Sequence, residues 1–101
     1  MELPCKDQII VEIYRYLETM GGDATKWFVG VTRDAERQLF EVHNVDRAAD
    51  RWIWRVSQSA AEAREVERFF VETVGTDGEV DGVTGEGRTV YAFRRSSRTR
   101  R

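Results

Sequence analysis

The chain has 101 residues, which is room for one domain around a single hydrophobic core. Its residues are 41% hydrophobic and 34% charged, and this composition excludes a wholly disordered chain. No apolar run approaches the roughly 18 residues that a membrane span needs. Cys5, the one cysteine, cannot form an internal disulfide, so we expect a cytoplasmic protein.

The charge is distributed unevenly along the chain. The sequence has 16 basic and 18 acidic residues, a formal net charge of -2. Five arginines and no acid lie within residues 94–101, so residues 1–93 contain 11 basic and 18 acidic residues and have a net charge of -7. We therefore expect a single acidic domain over 1–94 and a basic, disordered tail over 95–101. Such a tail either binds phosphate or is simply solvated.

In chain order, the first predicted element is a helix over residues 8–20. Its apolar residues fall on one helical face, Asp7 is a candidate N-cap, and Gly21-Gly22 ends the pattern. The β-branched residues of 9–13 favour a strand instead. We favour the helix.

The next two predicted elements are a strand and a second helix. Residues 26–32 form a short apolar run, which is typical of a buried strand. Asp34 is the expected cap of a helix over 35–43. The residues of this helix that we expect to face inward are Ala35, Leu39 and Val42.

The second half of the sequence predicts a strand over 52–57, a helix that begins with a Ser59–Glu62 capping box, and a strand over 89–94. Five of the eight glycines lie in 75–87, which we interpret as a long turn region. The expected inward stripe of the helix is Ala63, Val66, Phe69, Phe70 and Val74. The order predicts an α+β fold, a small sheet of about three strands with helices packed on it.

The glycine-rich region imitates the first half of a calcium loop at Asp77 to Gly82. Position twelve of such a loop needs a bidentate Glu, and here that position is Arg88. The element that follows also has the pattern of a strand, not of a helix. We therefore do not expect calcium binding.

The segment from Trp27 to Asn44 reads Trp-Phe-Val-Gly-Val-Thr-Arg-Asp-Ala-Glu-Arg-Gln-Leu-Phe-Glu-Val-His-Asn. It resembles the second motif of the GIY-YIG nuclease superfamily, in which an aromatic–aliphatic–Gly strand end precedes a Thr turn, an acid-capped, Arg-rich helix and a His-Asn. The resemblance extends over residues 27–72, and it implies a GIY-YIG-like fold with DNA or RNA as the partner. Only Glu12–Tyr14 matches the family's first motif, and this match requires that residues 9–17 form a strand.

The resemblance also implies a set of catalytic residues. In active family members a helical Glu binds Mg²⁺ or Mn²⁺, a Tyr helps to activate water, and an Arg stabilises the phosphate in the transition state. Glu67 matches the metal ligand, whereas Phe28 replaces the second-motif tyrosine and Gln38 stands at the best position for the arginine. The implied nuclease activity is therefore weakened or lost. The other candidate catalytic residues are Arg37, His43 and Tyr14.

Each candidate also has an ordinary structural interpretation. Glu67 fits a solvated helix surface, and Arg37 fits an i,i+4 pair with Glu41. His43 fits a helix C-terminus, where the dipole favours a positive charge. The three tryptophans fit a core, although one that is exposed could stack on a nucleic-acid base; they are Trp27, Trp52 and Trp54.

Two functions of different classes follow. The first is nucleic-acid binding with residual metal-dependent cleavage at most, through seven candidate contacts, namely Arg33, Arg55, Arg94, Arg95, Arg98, Arg100 and Arg101. The second is a non-catalytic protein-interaction module on the same scaffold. It is favoured by the acidic body, which repels nucleic acid everywhere except at the tail.

Overall fold

The computed structural model describes residues 2–78 and 87–100, in which two α-helices pack on a small mixed sheet. This confirms the predicted α+β class. The elements are α1 (Lys6–Thr19), a 3₁₀ turn (Ala24–Lys26), β1 (Trp27–Thr32), a first π-helix (Arg37–Val42), β2 (Trp52–Val56), α2 (Ala60–Phe69), a second π-helix (Phe70–Val74), β3 (Asp77–Gly78) and β4 (Thr89–Arg94).

The sheet has the strand order β2-β4-β1-β3. Strand β4 lies in the middle and pairs antiparallel with both β1 and β2, whereas β3 pairs parallel with β1. The two-residue β3 lies in the region that the glycines predicted as turn, so that prediction is wrong at Asp77 and Gly78. Residues 79–86 of this region, with most of the calcium-like pattern, lie outside the described residues.

One face of the sheet, the helical face, carries a mainly aliphatic core. Successive residues of a strand point to opposite faces, so Trp27 and Val29 of β1 share this side with Val90 and Ala92 of β4. They pack against the predicted stripes of α1 and of α2 with the second π-helix, whose fully buried members are Ile9, Ile13, Leu17, Ala63, Val66 and Phe70. None of the helices within the described ranges is long and apolar enough to cross a membrane.

The opposite side of the sheet, the loop face, is covered by residues 33–51. Phe28 of β1 and the neighbouring Tyr91 and Phe93 of β4 form its floor, and Leu39 and Val45 pack over them. The side chains of β2 that point this way are Trp52 and Trp54, which are half-buried at the sheet's edge. The loop face is therefore mainly aromatic, whereas the helical face is mainly aliphatic.

Two of the helix predictions are wrong in detail. Helix α1 begins after Cys5 with no side-chain cap, so Asp7 lies in the first turn and interacts favourably with the helix dipole there, not as a cap. The predicted helix over 35–43 becomes a π-helix, in which the N–H of His43 donates to the carbonyl of Gln38 five residues back. The wider turn moves Val42 to the surface, 42% exposed, and turns His43 inward.

Candidate nucleic-acid interface

His43 is buried at the centre of the loop face. It is 1% exposed and packs against Phe28, Tyr91 and Phe93, with ring centroids 4.8, 5.5 and 4.8 Å away. Its Nε2 lies 2.8 Å from the hydroxyl of Tyr91, and its Nδ1 lies 2.6 Å from the carbonyl oxygen of Arg100. Both ring nitrogens therefore have polar partners.

These partners determine the tautomer of the neutral imidazole. A carbonyl oxygen only accepts, so the Nδ1–H of His43 donates to Arg100. Nε2 is then an acceptor, and the Tyr91 hydroxyl donates to it. The histidine is thus an internal link between the sheet and the C-terminal segment, and its ring does not lie open to a substrate.

Tyr91 reaches His43 by lying across Gly30. The two residues face each other in the β1–β4 register, and a Cβ on Gly30 would stand 2.6 Å from the tyrosine hydroxyl and 2.7 Å from Cζ. Any side chain at position 30 would displace the Tyr91 ring. Gly30 is the residue that matches the Gly of the family's Tyr-Ile-Gly motif. Here it has a packing function, because it leaves room for the Tyr91–His43 hydrogen bond.

The C-terminal segment is attached to the loop face through its backbone. The N–H of Arg100 donates to the carbonyl of His43 at 2.6 Å, and the Asn44 side-chain amide donates to the carbonyl of Arg98 at 2.9 Å. Asn44 adopts a φ of 58°, a left-handed conformation that asparagine tolerates better than most residues. Ser96 and Thr99 close a hydrogen-bonded turn that contains the Arg98 attachment.

Ion pairs hold the same segment on the acidic body. Arg95 contacts Asp77 at 3.2 Å and donates to the carbonyl of Thr25, and Arg98 contacts Asp50 at 2.8 Å. Residues 95–100 are thus folded against the domain, which differs from the disorder expected for them. The reason is the charge division itself, because the acidic body attracts the basic segment. Arg101 lies outside the described residues.

An aromatic cluster lies on the same face of the sheet, at the edge strand β2. The rings of Trp52 and Trp54 stack at 5.5 Å with an interplanar angle of 27°, and Phe40 meets Trp52 edge-on at 5.1 Å. The Arg47 guanidinium lies 3.9 Å from the centre of the Phe40 ring, and the Arg47 carbonyl accepts from the Trp52 indole at 3.0 Å. The cluster combines flat apolar surface with a cation.

Acidic groups border the interface. The carboxylate of Asp46 accepts backbone hydrogen bonds from Ala49 and Ala48, both at 2.9 Å, and these bonds lower the pKa of Asp46 below its ordinary value. Arg47 also contacts Glu36 at 3.1 Å. A phosphate that binds here has to compete with carboxylates for the arginines, so we expect strongly salt-dependent binding.

The predicted catalytic residues are not brought together. His43 lies on the loop face, whereas Glu67 belongs to α2 on the helical face, with the sheet between them. Arg37 is exposed on the first π-helix, and Tyr14 is 41% exposed on α1. Glu12–Tyr14 lies in a helix, so it does not form the strand that the family's first motif requires.

Glu67 is 5% exposed, so it is neither a solvated surface residue nor a residue of an open cleft. Within residues 2–78 and 87–100, no three His, Cys, Asp or Glu side chains are grouped so that they could hold a metal ion. The resemblance implies a single glutamate ligand, so the Mg²⁺ or Mn²⁺ expected at Glu67 stays a prediction, and we derive no metal-dependent step.

The predicted nucleic-acid contacts divide between the two sides of the sheet. Arg95, Arg98 and Arg100 belong to the folded C-terminal segment, and Arg33 is exposed directly after β1. Arg55 instead contacts Glu12 of α1 at 2.5 Å, and the Nε of Arg94 is buried beside Gly21. These two arginines therefore lie on the helical side of the sheet, away from the loop face, and their contacts with nucleic acid stay predictions.

Sequence reasoning missed the polar partners of this interface. The i,i+2 spacing of Trp52 and Trp54 did indicate a shared strand face, but nothing in the sequence marks Asp50 as the partner of Arg98 or Tyr91 as the partner of His43. Both pairs join residues almost half a chain apart, so only the sheet register and the folded C-terminal segment reveal them.

Comparison with known proteins gives no relative for this arrangement: no protein-family model, no curated protein and no solved structure matches the chain.

Proposed function

We propose that this protein is a non-catalytic, GIY-YIG-like domain that binds DNA or RNA at the loop face. The observation that supports this most is the folded C-terminal segment, which holds Arg98 and Arg100 on the same face as the Trp52–Trp54 pair. Cationic side chains beside aromatic rings suit the two parts of a nucleic acid, its phosphates and its bases.

Cleavage is not part of the proposed function. Phosphodiester hydrolysis needs charge neutralisation at the phosphate and an activated nucleophile at one place. Glu67 and His43 lie on opposite faces of the sheet, and both ring nitrogens of His43 are engaged inside the protein. The expected outcome with Mg²⁺ or Mn²⁺ is an intact substrate, and cleavage that disappears in Glu67→Gln would contradict this part of the proposal.

The binding itself is tested by fluorescence anisotropy with labelled oligonucleotides at about 50 and 200 mM salt. The Arg100→Gln variant is the sharpest test, because the guanidinium is exposed while the segment is anchored through the Arg100 backbone. We expect weaker binding and a smaller salt slope for this variant. Arg68→Gln on α2 is the matched control, since it removes the same charge from the other side of the molecule.

Two results would overturn the proposal. One is the absence of binding by the wild-type protein at the lower salt concentration, where phosphate contacts are strongest. The other is an equal loss of affinity in Arg100→Gln and Arg68→Gln, which would assign the effect to net charge alone. Substitution is preferable to deleting residues 95–101, because the deletion also removes the hydrogen bonds to His43.

A second candidate function, protein interaction, is favoured by a different surface. An open groove of about 540 Å³ runs between α1 and the second π-helix. Val11 and Tyr14 on its wall are 49% and 41% exposed, although both are large and largely apolar. A photo-crosslinker at Tyr14 should capture a protein that the same group at Glu65, away from the groove, does not. Equal capture at both positions would contradict this function.

A further inference from the structure

We infer that the nucleic acid bound at the loop face is single-stranded, and that one of its bases stacks on Trp54. This inference rests on the proposed function and names the substrate class of the same site. It comes from the tryptophan pair, its rigid support, and the position of the nearest cations.

Trp54 is the accessible member of the pair. Its side chain is half-buried on the edge strand, and among residues 2–78 and 87–100 its only ring neighbour is Trp52. In the same ranges its indole N–H has no hydrogen-bond partner and is not buried, so it reaches solvent. In a tryptophan of the hydrophobic core, both faces of the ring and the indole N–H would be buried.

The Trp52–Trp54 pair is held rigidly by the residues that it packs against. Trp52 donates its indole N–H to the Arg47 carbonyl and is braced by the Phe40 ring. Trp54 stands opposite Tyr91 in the β2–β4 register, and Tyr91 is itself fixed by its bond to His43. A platform that is already in place loses little conformational entropy when a base binds.

Arginine side chains lie near the tryptophan pair, where the phosphate backbone of a bound single-stranded nucleic acid would run. Arg98 is bound to Asp50, two residues before Trp52, and Arg51 between them is exposed. The cationic segment and the aromatic platform therefore meet at one end of β2. An indole face can stack only on a base that has left its own stack, so this arrangement suits a single strand and not a duplex.

The test compares the affinities of Trp54→Ala and wild-type protein for an oligonucleotide of about 12 nucleotides and for the duplex of the same length. We expect Trp54→Ala to weaken single-strand binding about 5- to 150-fold, with much of the affinity kept in Trp54→Phe. Duplex binding should be weaker than single-strand binding and should change little. Tyr14→Ala, an exposed aromatic residue on the other side, is the matched control, and near-ultraviolet circular dichroism verifies the folding of each variant.

The outcomes separate this inference from the proposed function. Wild-type binding that Trp54→Ala leaves unchanged, or tighter binding of the duplex, overturns the stacking inference while nucleic-acid binding stands. Failure of the wild-type protein to bind either oligonucleotide at low salt overturns the proposed function. Tryptophan fluorescence that is quenched by the single strand in wild type but not in Trp54→Phe would support stacking at this residue.

Discussion

The two faces of the sheet are stabilised in different ways. The helical face is filled mainly by aliphatic side chains, from two regular α-helices and the second π-helix, so its stability comes from non-directional burial of apolar area. The loop face is covered by an irregular segment, a π-helix and the C-terminal turn, and specific hydrogen bonds and ring contacts fix its geometry. This difference indicates that the helical face holds the fold together while the loop face provides the functional surface.

The largest expected effect is on the helical face. Phe70 is completely buried where α2 meets the second π-helix, and Phe70→Ala should lower the free energy of unfolding by about 3 to 5 kcal/mol, measured by urea denaturation. Phe69→Ala is the control, because Phe69 is only partly buried and should cost less. Equal losses would mean that this core is less tightly packed than its burial implies.

The next largest effect on the free energy of unfolding is expected on the loop face, for Gly30→Ala. The new methyl group would collide with Tyr91 and displace it from His43, lowering the free energy of unfolding by about 1 to 3 kcal/mol. The Tyr91→Leu background tests this cause, because the cost of Gly30→Ala should shrink when the colliding ring is gone. Additive costs in the double variant would exclude the collision as the cause.

Tyr91→Phe isolates the hydrogen bond of the same pair. The ring stays in place, but the hydroxyl that is hydrogen-bonded to His43 Nε2 is removed, so we expect a loss of about 1 kcal/mol in urea denaturation. Tyr14→Phe, at an exposed position, should be neutral. Faster hydrogen exchange of the Arg100 amide in Tyr91→Phe would show that the link also holds the C-terminal segment.

The smallest expected effect concerns the ion pair between Glu12 and Arg55 at the edge of the helical face. The hydrogen bond from the Arg55 side chain, with a second from Gln8, holds the pKa of Glu12 below its ordinary value. A lowered folded-state pKa contributes stability above the unfolded-state pKa, and this contribution is lost as pH falls through the folded-state value. Because the pair is about one-third exposed, we expect the contribution to be under about 1 kcal/mol.

Glu12→Gln tests this expectation through urea midpoints between about pH 3 and pH 7. The variant should be slightly less stable than wild type at neutral pH, and the two should converge in acid. A constant difference across this range would show that the effect of the substitution is not electrostatic.

How much the sequence predicts depends on the range of the interaction. Both α-helices, three of the four described strands and the caps at Asp34 and Ser59 followed from local patterns and are confirmed. The missing strand β3 has only two residues and exists because β1 offers it a free edge. For the site, the tryptophans were recognised as possible stacking residues, but the proposed catalytic constellation depended on a resemblance that does not predict which face each residue occupies.

The sequence by itself therefore determined both α-helices, three of the strands, the mainly aliphatic core and the division into an acidic body and a basic segment. Periodicity, capping and charge are properties of neighbouring residues, so they are visible in one dimension. Only the tertiary structure decided that His43 turns inward, that Tyr91 crosses Gly30 to reach it, that Arg98 pairs with Asp50, and that Glu67 lies across the sheet from them. Each of these depends on strand register or on the side of the sheet that a connection takes, and neither is encoded in a local pattern.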